Sequence, residues 1–326
     1  MALLLSCFLG LIPMLGFALY VNWLDRYEKE PKVLLAAAFL WGAIIAAGLA
    51  FVINTLLGIG IYLITFSTLL TEWSSSIVVA PFVEEGLKGL ALLILFLAFR
   101  KEFDSLLDGA IYGGMIGLGF GATENFYYIY AYGYEEQGWV GLWMLAFIRI
   151  VLVGWQHAFY TAFSGMGFAW ARLQRSFLLR LLGILTGFSL AILTHALHNT
   201  LAALADFWLV VPVDWLGWLG MLILLIFLIR HEQHLLKVHL AEEVSSGLLT
   251  PQEYATATSS LAQSKARFQA LTHGNLRRTA RFYQLCAELA HKKEQFRRVG
   301  DEQGNLAIIE SLRQELSTLS GKVSTA

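Results

Sequence analysis

Charge is what this sequence has least of. Only 14% of its 326 residues are Asp, Glu, Lys or Arg, where a soluble domain carries about 25%. Hydrophobic residues make up 57% of the chain and its mean hydropathy is +0.61. That deficit excludes an ordinary soluble protein and indicates one that lies in a lipid bilayer. Cysteine is scarce too: Cys7 and Cys286 lie in regions too different in composition to suggest a disulfide framework, and no redox chemistry is indicated. A net charge of −1 gives no reason to expect nucleic acid as a partner. The charges that exist are uneven, since residues 1–230 hold 11 Lys/Arg and 14 Asp/Glu and residues 231–326 hold the other 12 and 10. The fold class expected is all-α: a polytopic transmembrane bundle over 1–230 with a polar helical tail over 231–326.

A helix crosses roughly 30 Å of hydrocarbon with about 20 residues. Apolar stretches of that order occur near 3–23, 33–55, 76–99, 109–131, 143–171, 181–205 and 213–230, which predicts seven spans. The segment 56–73 is nearly apolar as well, but its glycines and hydroxyl residues predict an interfacial or re-entrant piece rather than an eighth crossing. Lys and Arg are missing altogether from 56–75, 132–142 and 206–212. They stand instead in the alternate connections, as Arg26, Lys29 and Lys32, then Arg100 and Lys101, then Arg172, Arg175 and Arg180, and finally at Arg230. Because cationic residues collect on the cytoplasmic side, the amino terminus is expected outside and the tail in the cytosol. The first span lacks a positive amino-terminal flank, so it reads as a retained helix rather than a cleaved signal peptide.

The tail carries a helix start at Thr250-Pro251 and breaks at Gly274-Asn275 and Gly300-Asp301. It reads as two or three helices without chemistry of their own, able to bind a partner protein, dimerise the chain or serve as an appendage. His231-Glu232-Gln233-His234 is one residue short of the zinc-protease pattern H-E-x-x-H, and with His239 it is expected at the membrane edge as interfacial or solvated side chains.

Ionisable groups inside a bilayer cost several kcal/mol unless they meet a partner or a wet cavity, so they mark function by default. Glu84, Glu85 and Lys88 form one such cluster. At helical spacing Lys88 can neutralise either glutamate, and the two glutamates diverge by about 100°, which suggests one general base and one orienting support. Read structurally, the same three residues are a packing ion pair. Gly109, Gly113, Gly117 and Gly121 recur every four residues as a stripe for close helix contact rather than a nucleotide loop, and Glu124 and Asn125 follow. Glu124 is a candidate metal ligand or second acid. His157, Thr161 and Gly165 share a face, as do His195 and Asn199, while Arg149 is read as packing or charge balance. One intramembrane histidine is usually a hydrogen-bonded core residue. Two of them at the depth of two glutamate sites, on four different spans, point to a site.

With these clusters in hand the chain resembles the PrsW family of integral membrane proteases, distant relatives of the CAAX-processing and bacteriocin-processing membrane proteases. That family's pattern runs E-E-x-x-K, F-x-x-x-E-N, a histidine helix followed by small residues, then H-x-x-x-[ND]. Glu84, Glu85 and Lys88, then Phe120, Glu124 and Asn125, then His157 with Gly165, then His195 and Asn199 match it in order. The resemblance covers about residues 1–230. It implies peptide-bond hydrolysis in or near a bacterial cytoplasmic (inner) membrane, with single-span regulators such as anti-sigma factors as a substrate class. In the CAAX-type relatives His stands where Glu124 stands here, and Asn199 matches those relatives where some PrsW members carry Asp.

The expectation is therefore a protease in which Glu84 or Glu85 takes a proton from the attacking water. Glu124, His157 and His195 would surround a divalent metal, Zn²⁺ by donor type, with an open position for that water. Asn199 would donate to the oxyanion or complete the shell. A metal-free glutamate mechanism is the alternative within the same class. An ion- or proton-coupled transporter, or a scaffold working through its tail, are the alternatives outside it. The partners expected are a membrane-protein or membrane-anchored substrate and the lipid bilayer.

Overall fold

Residues 1–204, 207–301 and 304–325 are described in a computed structural model of the chain, and every regular element among them is a helix. Among the described residues, five helices are long and apolar enough to cross a membrane: Ala2–Leu24, Lys32–Thr65, Leu106–Arg172, Phe177–Leu204 and Leu209–Ser245. The third is a hairpin rather than one rod. Gly138, at φ 63° and ψ −150°, interrupts it and turns the chain back. The seven expected apolar stretches fall on helices apart from Phe99 and residues 153–155, and residue 205 lies outside the described residues together with residue 206 at the start of the expected 206–212 connection.

Helix α1 (Ala2–Leu24) buries a line of Ala2, Ser6, Gly10, Met14 and Ala18 and leaves Leu4, Phe8, Leu15 and Leu19 exposed. A four-residue stripe of mostly small side chains inside and large apolar ones outside suits a helix that faces protein on one side and lipid on the other. Helix α2 (Lys32–Leu40) passes through a π-helical turn at Trp41–Ala46 into α3 (Ala47–Thr65), and Phe66, in the left-handed region, ends it. Helix α4 (Thr68–Ser74) starts the return and runs through a second π turn, Ser75–Val79, into α5 (Ala80–Ala98). Residues 56–73 are therefore shared between two helices. Their first part extends α3 and their last part opens the helix that carries Glu84.

Helix α6 (Leu106–Tyr128) is the centre of the molecule, buried on all sides from Leu107 to Ala122. Its glycines explain how. A Cβ at Gly109 would run into the Gly165 carbonyl, one at Gly113 into Thr161 and one at Gly117 into His157. The numbers fall on α8 (Gln156–Arg172) as they rise on α6, so the two are antiparallel at backbone contact. The expected stripe is thus a packing device that fixes α8 against α6. The predicted continuous span 143–171 is broken, however. Helix α7 (Glu135–Ala146) and a π turn at Phe147–Leu152 end at Val153, and α8 starts only at Gln156. Gly154 lies in that gap, where a Cβ would meet the Ile150 carbonyl.

Helix α9 (Phe177–Leu204) repeats the device with Gly183, Gly187, Ala191 and His195 buried at four-residue spacing. Helix α10 (Phe207–Ser245) continues for 39 residues, through the change in composition near residue 230. The tail adds α11 (Pro251–Ala257), α12 (Ser260–Thr272), α13 (Leu276–Val299) and α14 (Asn305–Leu319), more than the two or three helices expected. Thr250 caps α11 reciprocally with Glu253, and Gly274 and Gly300 take positive φ at the predicted breaks.

The tail has its own core, including Leu236, Leu240, Phe282, Cys286 and Leu312, and Tyr27 from the loop after α1 inserts into it. The Gln284 amide clasps the Lys29 backbone, accepting from its N–H at 2.8 Å and donating to its carbonyl at 3.3 Å. Lys292 Nζ donates to Asp104 at 2.6 Å. Burial, then the carboxylates of Asp104, Asp108 and Glu30, push the Glu28 carboxyl well above its ordinary range. At Asp104 burial acts in the same direction, but the Lys292 ammonium outweighs it and holds that carboxyl below its ordinary range. His231 and His234 are exposed, as expected of the near-miss motif, but Glu232 between them is buried and accepts from Ser105 at 3.1 Å.

Candidate active site

Four helices bring the expected residues to one level. Counted from the helix ends nearest the tail, Glu84 is 14 residues above Ala98, Glu124 is 18 above Leu106, His157 is 15 above Arg172 and His195 is 18 above Phe177. At 1.5 Å per residue that is roughly 21–27 Å, in the half of the bundle remote from the tail.

Lys88 stands at the middle, fully buried. Its ammonium lies 2.8 Å from Glu85 Oε1, 3.6 Å from Glu84 Oε2 and 3.1 Å from His157 Nδ1. The Phe120 ring closes its remaining side, with the centroid at 3.8 Å. Glu85 is fully committed. Oε1 also meets His195 Nδ1 at 3.1 Å, and Oε2 accepts from Thr161 Oγ1 at 2.9 Å. Glu84 is not. Its Oε1 has a long contact of 3.4 Å from Asn54 Nδ2, and its buried Oε2 has no hydrogen-bond partner and faces His195 Nε2 at 3.8 Å.

Glu124 holds the other histidine. Its Oε2 is 2.5 Å from His157 Nε2 and receives a close ion pair from Arg149 Nη2, while Arg149 Nε donates to Asn125 at 2.9 Å and its guanidinium lies over Tyr128. Arg149 and His157 are eight residues apart, roughly 12 Å on an intact helix, and the break at 153–155 lies between these two groups that converge on one carboxylate. Each histidine thus has one nitrogen on a carboxylate, an arrangement that fixes ring orientation and tautomer. Tyr160 stacks on His195 with centroids 4.7 Å apart, and its hydroxyl donates to Gln156 at 2.5 Å.

A small polar cavity lies between Glu124, Arg149, His157, His195 and Asn199, with about 30 Å³ of water-accessible space. That suffices for one or two waters. Asn199 borders it but donates to the Ser76 carbonyl at 2.8 Å, tying α9 to the π turn ahead of α5. His198 is drawn aside by Asp214, at 3.0 Å.

Sequence reasoning brought Glu84, Glu85, Lys88, Glu124, His157, His195 and Asn199 to the site, and the structure gathers them there. It missed Asn54 and Tyr160, while the charge balance expected of Arg149 is met by its ion pair with Glu124. Arg149 was legible by the rule applied to its neighbours, since an intramembrane charge is a functional candidate by default. Asn54 and Tyr160 carried no such signal.

A family model described as PrsW family intramembrane metalloprotease matches residues 30–229, the stretch that contains every one of these side chains. The chain belongs to this family. Among curated relatives, Protease PrsW of Clostridioides difficile (strain 630) is 37% identical over 123 residues, which is 38% of this chain and 50% of that protein. Protease PrsW of Bacillus subtilis (strain 168) is 26% identical over 167 residues, covering 50% of this chain and 67% of the relative. Protease PrsW of Geobacillus kaustophilus (strain HTA426) is 25% identical over 199 residues, covering 61% and 80%. The chain thus spans about half the length of the first of these and more of the other two. No solved structure matches the chain. The PrsW match stops at residue 229 and leaves the tail outside it.

The family description names a metal, and the site can be tested for one. Donor atoms of Glu84, His157 and His195 lie within 4.8 Å of one another. Two imidazoles and a carboxylate are an ordinary ligand set for a catalytic divalent ion, and the partnerless Oε2 of Glu84 points among them. The residues fit. Glu124, expected in this set, is not part of the group that converges, because its carboxylate is engaged with Arg149 and the far nitrogen of His157.

Proposed function

We propose that the chain is a membrane-embedded protease that hydrolyses a peptide bond of a membrane-protein substrate, with Glu84 as its central carboxylate, a ligand where a metal ion is bound and the general base where none is. The observation that carries this is the difference between adjacent glutamates: both oxygens of Glu85 are taken, and Oε2 of Glu84 is buried beside two histidines without a partner. A desolvated, unsatisfied carboxylate oxygen is unfavourable unless it is used.

Glu84, His157 and His195 would hold a divalent ion, Zn²⁺ by donor type. When bound, such an ion supplies an acidified water and a polarised scissile carbonyl. Glu85 holds the Nδ1 side of His195 and leaves Nε2 directed at Glu84. Glu124, braced by Arg149, holds the Nε2 side of His157, leaves Nδ1 beside the Lys88 ammonium, and borders the cavity as a second carboxylate. Thr161 and Lys88 fix Glu85 in turn.

One observation favours a metal-free variant of the same chemistry. The Lys88 ammonium already faces His157 Nδ1 and Glu84, so it competes with a divalent ion for those donors. In that variant Glu84 is the general base. The depth of the site, remote from the tail, supports single-span substrates cut on the side of the membrane opposite the tail.

The test is cleavage of a single-span membrane substrate by purified protein, with metal content measured in the same samples. Glu84→Gln is expected to lower cleavage about 10²–10⁴-fold. In the metal reading Glu84→Gln, His157→Ala and His195→Ala each lose the same ion. Cleavage without any ion at these residues would leave the metal-free variant, and near-parental cleavage by Glu84→Gln would overturn both.

A further inference from the structure

A second group of metal-competent side chains lies at the other end of the molecule, where the tail meets the membrane domain. Glu28 comes from the loop after α1, Asp104 from the loop before α6 and His291 from α13. Their donor atoms lie within 4.8 Å of one another. We infer that these three residues form a binding site for a divalent transition-metal ion that clasps the tail onto the membrane domain.

The geometry of His291 carries the argument. Its side chain is 1% exposed, with Nδ1 3.7 Å from Asp104 Oδ1 and Nε2 3.8 Å from Glu28 Oε2. Both separations are too long for hydrogen bonds. His291 Nε2 and Glu28 Oε2 are in fact both buried atoms without a hydrogen-bond partner. An imidazole offers one nitrogen to an ion, and here that nitrogen is Nε2, whose 3.8 Å from the equally unmet Glu28 Oε2 is close to the roughly 3.3–3.6 Å between two atoms each about 2.0–2.2 Å from a tetrahedral centre.

Asp104 is prepared for the same role. Lys292 occupies its Oδ2 at 2.6 Å, and one donor atom of Asp104 lies within 4.8 Å of those of Glu28 and His291. A cavity bordered by Glu28, Lys29, Asp104, Gln284 and Lys292 opens beside the cluster and gives an ion a way in. One imidazole with two carboxylates selects zinc, manganese or ferrous iron rather than the all-oxygen shells of calcium and magnesium.

The clasp is independent of catalysis, and its test keeps it so. Full-length protein carrying His157→Ala and His195→Ala, stripped with chelator and dialysed against Zn²⁺, is expected to retain one equivalent of zinc. Glu28→Gln, at a partly exposed position where folding is not at stake, and His291→Ala are each expected to weaken that binding by more than the 10–100-fold typical of losing an outer-shell partner. Zinc should also slow amide exchange in 25–31 and α13 of the parent and leave exchange in Glu28→Gln unchanged. Absence of bound zinc in the His157/His195 double variant, or zinc affinity unmoved by Glu28→Gln, would overturn the inference.

Discussion

Two groups of buried charge lie at opposite ends of α6, and they are built differently. Remote from the tail, Glu84, Glu85, Lys88, Glu124, Arg149, His157 and His195 all stand on helices of the bundle, and most meet a partner within hydrogen-bonding distance. At the tail junction, Glu28, Asp104 and His291 come from two loops and a helix outside the membrane-spanning part, and their closest separations are 3.7 and 3.8 Å. The first group is a network in which Glu84 Oε2, buried and without a hydrogen-bond partner, contrasts with the fully engaged oxygens of Glu85. The second is a gap between segments that are far apart in the chain, bordered by Lys292. Buried polar groups that satisfy one another define a site by its exception, whereas a set of matched vacancies calls for a ligand from outside.

The comparison is sharpened most by Lys88→Met. The substitution leaves Glu85 buried beside an apolar side chain, so a loss of about 3–5 kcal/mol is expected, read as a lowered midpoint of thermal unfolding in detergent. Adding Glu85→Gln should recover most of that stability without recovering cleavage. Lys88→Met with parental stability would mean the remote group is not the tight network described.

A smaller effect is expected at Arg149. Arg149→Gln removes the ion pair that braces Glu124 against His157, so kcat should fall about 10–100-fold, the usual cost of an outer-shell partner, with KM little changed. Equal losses in Arg149→Lys and Arg149→Gln would argue that forked hydrogen bonding to Glu124 and Asn125 matters, since lysine keeps only the charge. The smallest effect belongs to the junction. Gln284→Ala removes two bonds to the Lys29 backbone, about 1 kcal/mol in all, and should quicken amide exchange in 25–31 severalfold while leaving cleavage of a membrane substrate at the parental rate.

Much of the remote group was legible in the sequence because helical periodicity assigns residues to faces. The four-residue recurrence of Gly109, Gly113 and Gly117 foretold a close partner, and the same period put His195 and Asn199 on one face. The break at 153–155 was not legible, because the flanking sequence is apolar enough to read through it. In segment 56–73 the glycines and hydroxyl residues suggested an interfacial or re-entrant piece, and only the structure showed that α3 runs on through Gly58 and Gly60 to Thr65, as a long apolar helix allows.

By itself the sequence determined that the chain is a helical membrane protein, which stretches are apolar, and which ionisable residues must be buried, because the cost of burying charge and the period of the helix are local properties. Only the tertiary structure decided that Glu85 is spent and Glu84 is not, that Arg149 braces Glu124, and that Tyr27 and His291 join the tail to the loops. Those are pairings between segments, and they depend on the register in which helices pack, set here by backbone contacts such as Gly109 with Gly165. A one-dimensional pattern specifies the face a residue occupies, and the neighbour it finds there is fixed only when the other face arrives.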